Sequence, residues 1–546
     1  MHADPRRAVA VRGLVSGAFI LFAARLAAMG LGLLQAVLLA AKFGTSASAD
    51  AFFVGYAVCF LFVSPTETGL MMAFVPAFVH TAEVEGDEAA WSVAAGLCRI
   101  GLAGMTCVAL LLAAASPWLA PLVAPGFDAA TVSLVAQFIR ILAPIMVLVF
   151  VASFLSTTDY VAGRYLMPGI AMTVNAMAGP VSLVFFADRF GVVSLAWGLV
   201  AGGVLRCVML FVGSPQSRRL FGPAVPLGHP ALRQIGRTIA ARVLTSWFID
   251  LNMMVDRMFA SFLGPGYVSC LAYASRAVMV IVNAVVMPMG RVMMPALSRL
   301  AAQRQYDRLR TLLERVVIGI GFLVVPVVAF IASFRVELLT VLFRHGKFDA
   351  SSVDATAYAL FFYSLGIVPF LLAPALNGTF FALGESTIPL KIGMVCVLAN
   401  VVLDAALILG LGHGGIALSS SIVGAIRAFL LWLYLRRRIG ALRSPPVLGS
   451  LLVSAAAATL AFWAAHLLIS LGGPEWSQPQ WRLAAYAVVG GAGYLFLQGV
   501  FNRPVVKLIP WLLGRRPPAS GLEPQDVDMD IDVDGREGPL QDKLRG

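Results

Sequence analysis

Long apolar runs separated by short polar loops organise the chain. Fourteen of them cover residues 14–41, 51–79, 92–115, 135–156, 165–187, 192–213, 239–263, 267–297, 316–334, 356–383, 387–410, 415–435, 447–471 and 481–501. A helix needs roughly 20 mainly apolar residues to cross a bilayer. In lipid, only helices and closed barrels satisfy their own backbone. The pattern therefore predicts an all-α polytopic membrane protein with about 14 transmembrane helices. The first run is too long and glycine-rich for a cleaved signal peptide. Pro65 inside 51–79 predicts a tilt or kink there.

Composition narrows the class. Of 546 residues, 60% are hydrophobic and 12% charged, and the mean hydropathy is +0.87. Soluble domains average about 45–50% apolar and about 25% charged. A soluble enzyme, a disordered protein and a disulfide scaffold are thereby excluded. Cys59, Cys98, Cys107, Cys207, Cys270 and Cys396 fall mostly within apolar runs, without CxxC spacing. They read as small core hydrophobes.

The net charge of +12 comes from 40 Lys+Arg against 28 Asp+Glu. So low a charge density points to cationic cytoplasmic loops and away from nucleic acid. Arg218, Arg219, Arg233 and Arg237 follow the sixth run, Arg299, Arg304, Arg308 and Arg310 the eighth, and Arg436, Arg437 and Arg438 the twelfth. Residues 1–13 add Arg6, Arg7 and Arg12. Both termini are expected in the cytoplasm. Residues 502–546 read as a cytoplasmic, largely disordered acidic tail. Its stretch 517–546 holds eight acidic and three basic residues, a net −5, so the rest of the chain carries 12 + 5 = +17.

The chain repeats itself. GVVSLAWGLVAGGVLR (191–206) and GHGGIALSSSIVGAIR (412–427) align at an offset of 221, as do Pro168 and Pro389. Phe43 with Phe262 and Pro76 with Pro295 align at 219. Two six-helix bundles in parallel repeat follow, at 14–213 and 239–435, joined by a basic linker at 214–238. Two extra helices lie at 447–501. Such a duplicated pair suits alternating access around a central cavity.

Charges at bilayer depth cost about 2.5–3.5 kcal/mol on insertion scales and mark cavities or partners. Arg25, Glu67, Arg140, Asp250, Asp256, Arg257, Arg276, Asp404 and Arg427 are candidates. Arg25, Glu67 and Arg276 are the candidate substrate contacts, and the two guanidiniums among them suit phosphate. Arg206 and Arg427 read as helix-end residues that snorkel or pair. Asn400 and Asp404 share one helix face, and Ser420 and Asp256 lie on the twelfth and seventh runs. Their oxygens could coordinate a hard cation, carry a proton, or form a polar cluster between helices. No metal quartet, phosphate loop or paired catalytic acid stands in a suitable context. The chain reads as a transporter without required cofactor, driven by sodium, protons or gradients.

Several segments resemble the MurJ/MviN family, the lipid II flippases of the multidrug/oligosaccharidyl-lipid/polysaccharide exporter superfamily. They are KFGTSASADAFFVGY (42–56), AFVPAF (73–78), VDRMFASFLGPGYVS (255–269), YASR (273–276), VMMPALSR (292–299), LFRHGKFD (342–349) and NGTFFALGESTIPLKIG (377–393). The resemblance covers about residues 14–500. It implies export of an undecaprenyl-diphosphate-linked peptidoglycan precursor across the bacterial inner membrane for cell-wall synthesis, by a monomer or within a cell-wall synthesis complex. It also implies a cation site on the positions of Asp256, Asn400, Asp404 and Ser420, a cavity arginine at Arg276 and a second-span glutamate at Glu67. Met29 and Gln35 stand where the family has first-span arginines, and Ser275 where it often has Asp. Arg25 is a partial substitute elsewhere on that helix. These departures keep rival readings open: a flippase for an O-antigen or exopolysaccharide repeat, a cation-coupled drug exporter, or a non-transporting scaffold.

Overall fold

A computed structural model describes residues 5–226, 250–385, 387–440, 444–470 and 478–502, with 229, 232, 236, 247 and 505. The side chains of 5–16, 18, 64–69, 71–73, 221, 284–295 and 444–447 lie outside this description, as does the acidic tail. The described chain is helical. The first half comprises α1 (Pro5–Phe43), α2 (Ala47–Glu85), α3 (Asp87–Val123), α4 (Ala129–Leu142), α5 (Pro144–Val161), α6 (Leu166–Phe190) and α7 (Val193–Gly213). The short 3₁₀ turn Pro215–Phe221 follows. The second half comprises α8 (250–261), α9 (Tyr267–Ala302), α10 (Tyr306–Phe343), α11 (Ala350–Leu365), α12 (Ile367–Ala382), α13 (Thr387–Leu411) and α14 (His413–Ile439). α15 (Ser444–Ser470) and α16 (Pro479–Phe501) form a final hairpin.

Among the described residues, ten helical segments are long and apolar enough to cross a membrane, or eleven when the bent pair α11–α12 counts as one. The remaining predicted runs, 51–79, 239–263 and 267–297, fall partly on residues outside the description. Two of the predicted runs are divided between successive helices. Run 135–156 divides at Ala143, where Pro144 opens α5 without needing an N–H partner. Run 356–383 divides at Gly366 with a 42° bend.

The breaks fall at matching places in the two halves, and so do the turns. Gly163 and Gly384, and Gly191 and Gly412, lie 221 apart and all have positive φ. Asp128 opens α4 and Asp349 opens α11, again 221 apart. Hydrogen bonds from Thr131 hold the Asp128 carboxyl below its usual range. The Ser352 N–H does the same for Asp349. Gly86, with φ 95°, is matched 218 residues on by Arg304, with φ 55°, the one described non-glycine in this conformation.

Within a bilayer, close backbone approach and hydrogen bonds hold helices together more than apolar burial does. α6 and α7 meet over Gly198 and Gly202, where a Cβ on Gly202 would stand 2.5 Å from that of Ala178. α15 and α16 pack on α10: Phe334 stacks on Tyr486 at 3.9 Å, and the Tyr494 hydroxyl donates to the Phe322 carbonyl. The two halves meet through α1 and α2 on one side and α9 and α10 on the other.

Candidate functional site: a clasped cavity and a carboxylate cluster

The halves are clasped at one end by the segments that carry the sequence resemblance. α9 begins after Gly266 (φ 96°) with no side-chain cap of its own. Its orphan N–H groups need acceptors. Asp50, in the first turn of α2, supplies them: its carboxylate accepts from Gly266 N at 2.5 Å and Ser269 N at 2.7 Å. Asp50 is fully buried. The Tyr273 hydroxyl donates to the Gly44 carbonyl at 3.2 Å, and Lys347 N to the Ala41 carbonyl at 2.7 Å. Gly44 leaves room for the Lys347 carbonyl, 2.6 Å from where a Cβ would stand. Thr45 and Ser352 share a hydroxyl bond at 3.0 Å, and Gly126 N donates to Ser261 at 3.1 Å.

Behind the clasp lies a cavity of about 270 Å³ between the halves. α1 contributes Gly32 and Gln35, α2 contributes Phe53 and Tyr56, and α9 contributes Ser275 and Arg276. From α8 come Asp250, Met253 and Arg257, spaced i, i+3, i+7 on one face. Arg276 crosses to α1, where a Cβ on Gly32 would overlap its guanidinium. Arg257 donates to the Phe53 carbonyl. A larger groove of about 900 Å³ lies along α6 and α7, but its walls are apolar, with Phe186, Phe190 and Trp197.

The adjacent side of α8 carries Asp256, which joins α13 and α14 inside the second half. Asn400 Nδ2 donates to Asp256 Oδ1 at 2.9 Å and to Asp404 Oδ2 at 2.7 Å. Ser420 Oγ donates to Asp256 Oδ2 at 2.6 Å. Asn400 and Asp404 are fully buried. Asn400 Oδ1 and Asp404 Oδ1 are buried with no protein hydrogen-bond partner. Two carboxylates, an amide oxygen and a hydroxyl make a hard donor set, and the two unpartnered oxygens fit a cation or a proton. No group of three or more His, Cys, Asp or Glu occurs among the described residues.

The structure brings Asp256, Asn400, Asp404 and Ser420 together, and sets Arg276 on the cavity wall. Arg25 is exposed on α1, seven residues and two turns before Gly32, outside the cavity lining. The side chain of Glu67 lies outside the described residues. Arg206 and Arg427 are not at helix ends: they sit inside α7 and α14, with Arg206 buried. Sequence reading singled out Arg257 and Asp250 as intramembrane charges without giving them a role. Their spacing with Met253 was the signal that places them on one wall. The backbone acceptor work of Asp50 left no signal.

Two repeated helical bundles, a shared cavity with arginines, and a buried carboxylate cluster in one bundle define a membrane transporter of the alternating-access type. The family model for the lipid II flippase MurJ matches residues 39–489. The chain belongs to that family. A lipid II flippase MurJ of Burkholderia cenocepacia is 25% identical over 416 residues, 74% of this chain and 81% of the relative. A probable lipid II flippase MurJ of Synechocystis is 24% identical over 480 residues, 84% of this chain and 88% of the relative. The fold matches a solved lipid II flippase MurJ in an inward closed conformation, with a TM-score of 0.72, 19% identity, 89% of this chain and all of the other covered. An inward-facing multidrug resistance transporter of the MATE family matches with a TM-score of 0.65, 18% identity, 76% of this chain and 96% of the other covered.

Proposed function

We propose that the protein flips lipid II, the undecaprenyl-diphosphate-linked peptidoglycan precursor, from the cytoplasmic to the outer leaflet of the bacterial inner membrane. Membership of the flippase family over residues 39–489 carries this reading. The cavity supports it chemically, since Arg276 and Arg257 face a space between the halves where a diphosphate could be held. The positive-inside distribution puts both termini in the cytoplasm. The clasp then closes the outer side, and the cavity of about 270 Å³ must widen from the cytoplasmic side to admit a headgroup. Separation of the halves at the clasp would release it outward.

The protein works as a monomer coupled to a cation. Asp256, Asn400, Asp404 and Ser420 hold sodium or share a proton, which offsets the cost of two carboxylates at bilayer depth. Delivery of substrate to a cell-wall synthesis complex follows from the product's use. The test is complementation of a strain depleted of its own lipid II flippase. Restored growth is expected. Lysis despite verified membrane insertion would reject lipid II as the substrate.

A further inference from the structure

Arg257 follows Asp256 directly on α8. Consecutive residues of a helix point about 100° apart, so the pair faces two different environments. Asp256 is bonded to Asn400 and Ser420 within the second half. Arg257 reaches the first half, donating from Nη1 to the carbonyl of Phe53 on α2. It also lines the cavity that Arg276 lines from α9. One residue thus touches both halves and the cavity, and its neighbour belongs to the carboxylate cluster.

The partner of Arg257 is weak for its type. A neutral helix carbonyl is already engaged in its own helix, whereas a guanidinium offers a planar fork of five N–H donors that matches phosphate. An entering diphosphate would displace the Phe53 carbonyl readily. The Asp256 carboxylate opposes that transfer by holding the positive charge near itself. A cation bound to the cluster cancels this pull and raises the positive potential of the cavity wall.

We propose that Arg257 is a substrate-contacting residue that couples the two sites: it leaves the Phe53 carbonyl for the diphosphate, and does so more readily when the cluster holds a cation. The inference rests on the flippase reading above. Coupling of this kind is reciprocal, so the diphosphate must also tighten cation binding. Release of the Phe53 carbonyl at the same moment removes a bond between the halves, which links loading to opening.

The experiment measures binding of undecaprenyl diphosphate to the purified full chain in detergent, in sodium chloride and in choline chloride of equal ionic strength. The parent is expected to bind more tightly in sodium. Arg257→Gln should weaken binding by about tenfold or more, the scale of one charge-assisted hydrogen bond, and should erase the difference between the salts. Its thermal midpoint should still rise with sodium, because the cluster remains. Arg257→Lys should recover part of the affinity. Parent-like binding by Arg257→Gln, with the salt difference intact, would overturn the assignment. So would loss of the sodium-dependent midpoint in that variant, which would make Arg257 part of the cluster's own framework. A parent whose diphosphate binding responds neither to sodium nor to pH would overturn the coupling. A parent that binds no polyprenyl diphosphate would overturn the flippase reading together with it.

Discussion

The carboxylate of Asp50 and the backbone N–H of Ser269 meet at 2.7 Å across the boundary between the two halves. One half thereby caps a helix of the other. Replacing Asp50 by Ala removes two charge-assisted hydrogen bonds and leaves the first turn of α9 without acceptors. Each such bond is worth about 1.5–3 kcal/mol. The expected result is a lower thermal midpoint and a clasp that opens more often. Introduced cysteines at Thr45 or Ser352 should then react faster with an impermeant maleimide. Unchanged labelling in Asp50→Ala would show that the clasp does not depend on this cap.

Gly32 makes room for Arg276 on the cavity wall. A side chain there would overlap the guanidinium. Gly32→Leu should push Arg276 out of place and lower flipping about as much as Arg276→Ala, with both variants inserted normally in the membrane. The double variant should be no worse than either single one, because both remove the same contact. Additive losses in a vesicle flipping assay would separate the two residues.

Asp404 has one oxygen bonded to Asn400 and one buried without a partner. Sodium should raise the thermal midpoint of the parent, with the logarithm of its concentration once the site is filled. Asp404→Ala should abolish that rise while keeping the helical circular dichroism. If sodium leaves the parent's midpoint unchanged and lower pH raises it, the cluster carries a proton instead.

Asp349 opens α11 from the loop, accepting the Ser352 N–H and the Ser351 hydroxyl, both at 2.8 Å. Its carboxyl titrates below the usual range because the ionised form takes the backbone N–H of Ser352. A lowered folded value means that the contribution is complete above the ordinary aspartate range, near about 4, and is lost as pH falls through the lower value. Asp349→Ala should therefore cost on the order of 1 kcal/mol at neutral pH, the usual worth of a helix cap. The gap between variant and parent should close in acid, as followed by thermal unfolding at several pH values. A gap that stays constant down to acid would locate the effect elsewhere than the ionised cap.

The helices were legible because lipid demands long apolar runs, and the repeat because matching turns kept their glycines. The cluster of Asp256, Asn400, Asp404 and Ser420 was legible for the same reason: polar side chains stand out where polarity is costly. The break at Ala143 had a sequence mark in Pro144, whereas the 42° bend at Gly366 lies inside an apolar run and shows only as geometry. Arg25 and Arg257 both read in sequence as arginines within apolar runs, with nothing to say which one meets the cavity. Only the packing of α8 against α2 sets Arg257 on the cavity wall and leaves Arg25 two turns away. The task of Asp50 was hidden because its partners are backbone N–H groups more than 200 residues on, and backbone groups carry no sequence signature.

Among the described residues, the hydrogen bonds of the clasp are made by main-chain groups, hydroxyls and one buried carboxylate. The exposed ion pair near that end, Lys42 with Asp188 at 2.6 Å, lies within the first half. Exposed pairs weaken as salt rises, while buried hydrogen bonds are screened far less. On the side we assign to the exterior, a cell has no control over ionic strength. A latch of this composition keeps nearly the same opening energy in fresh water and in brine, so the timing of release is insulated from the medium outside.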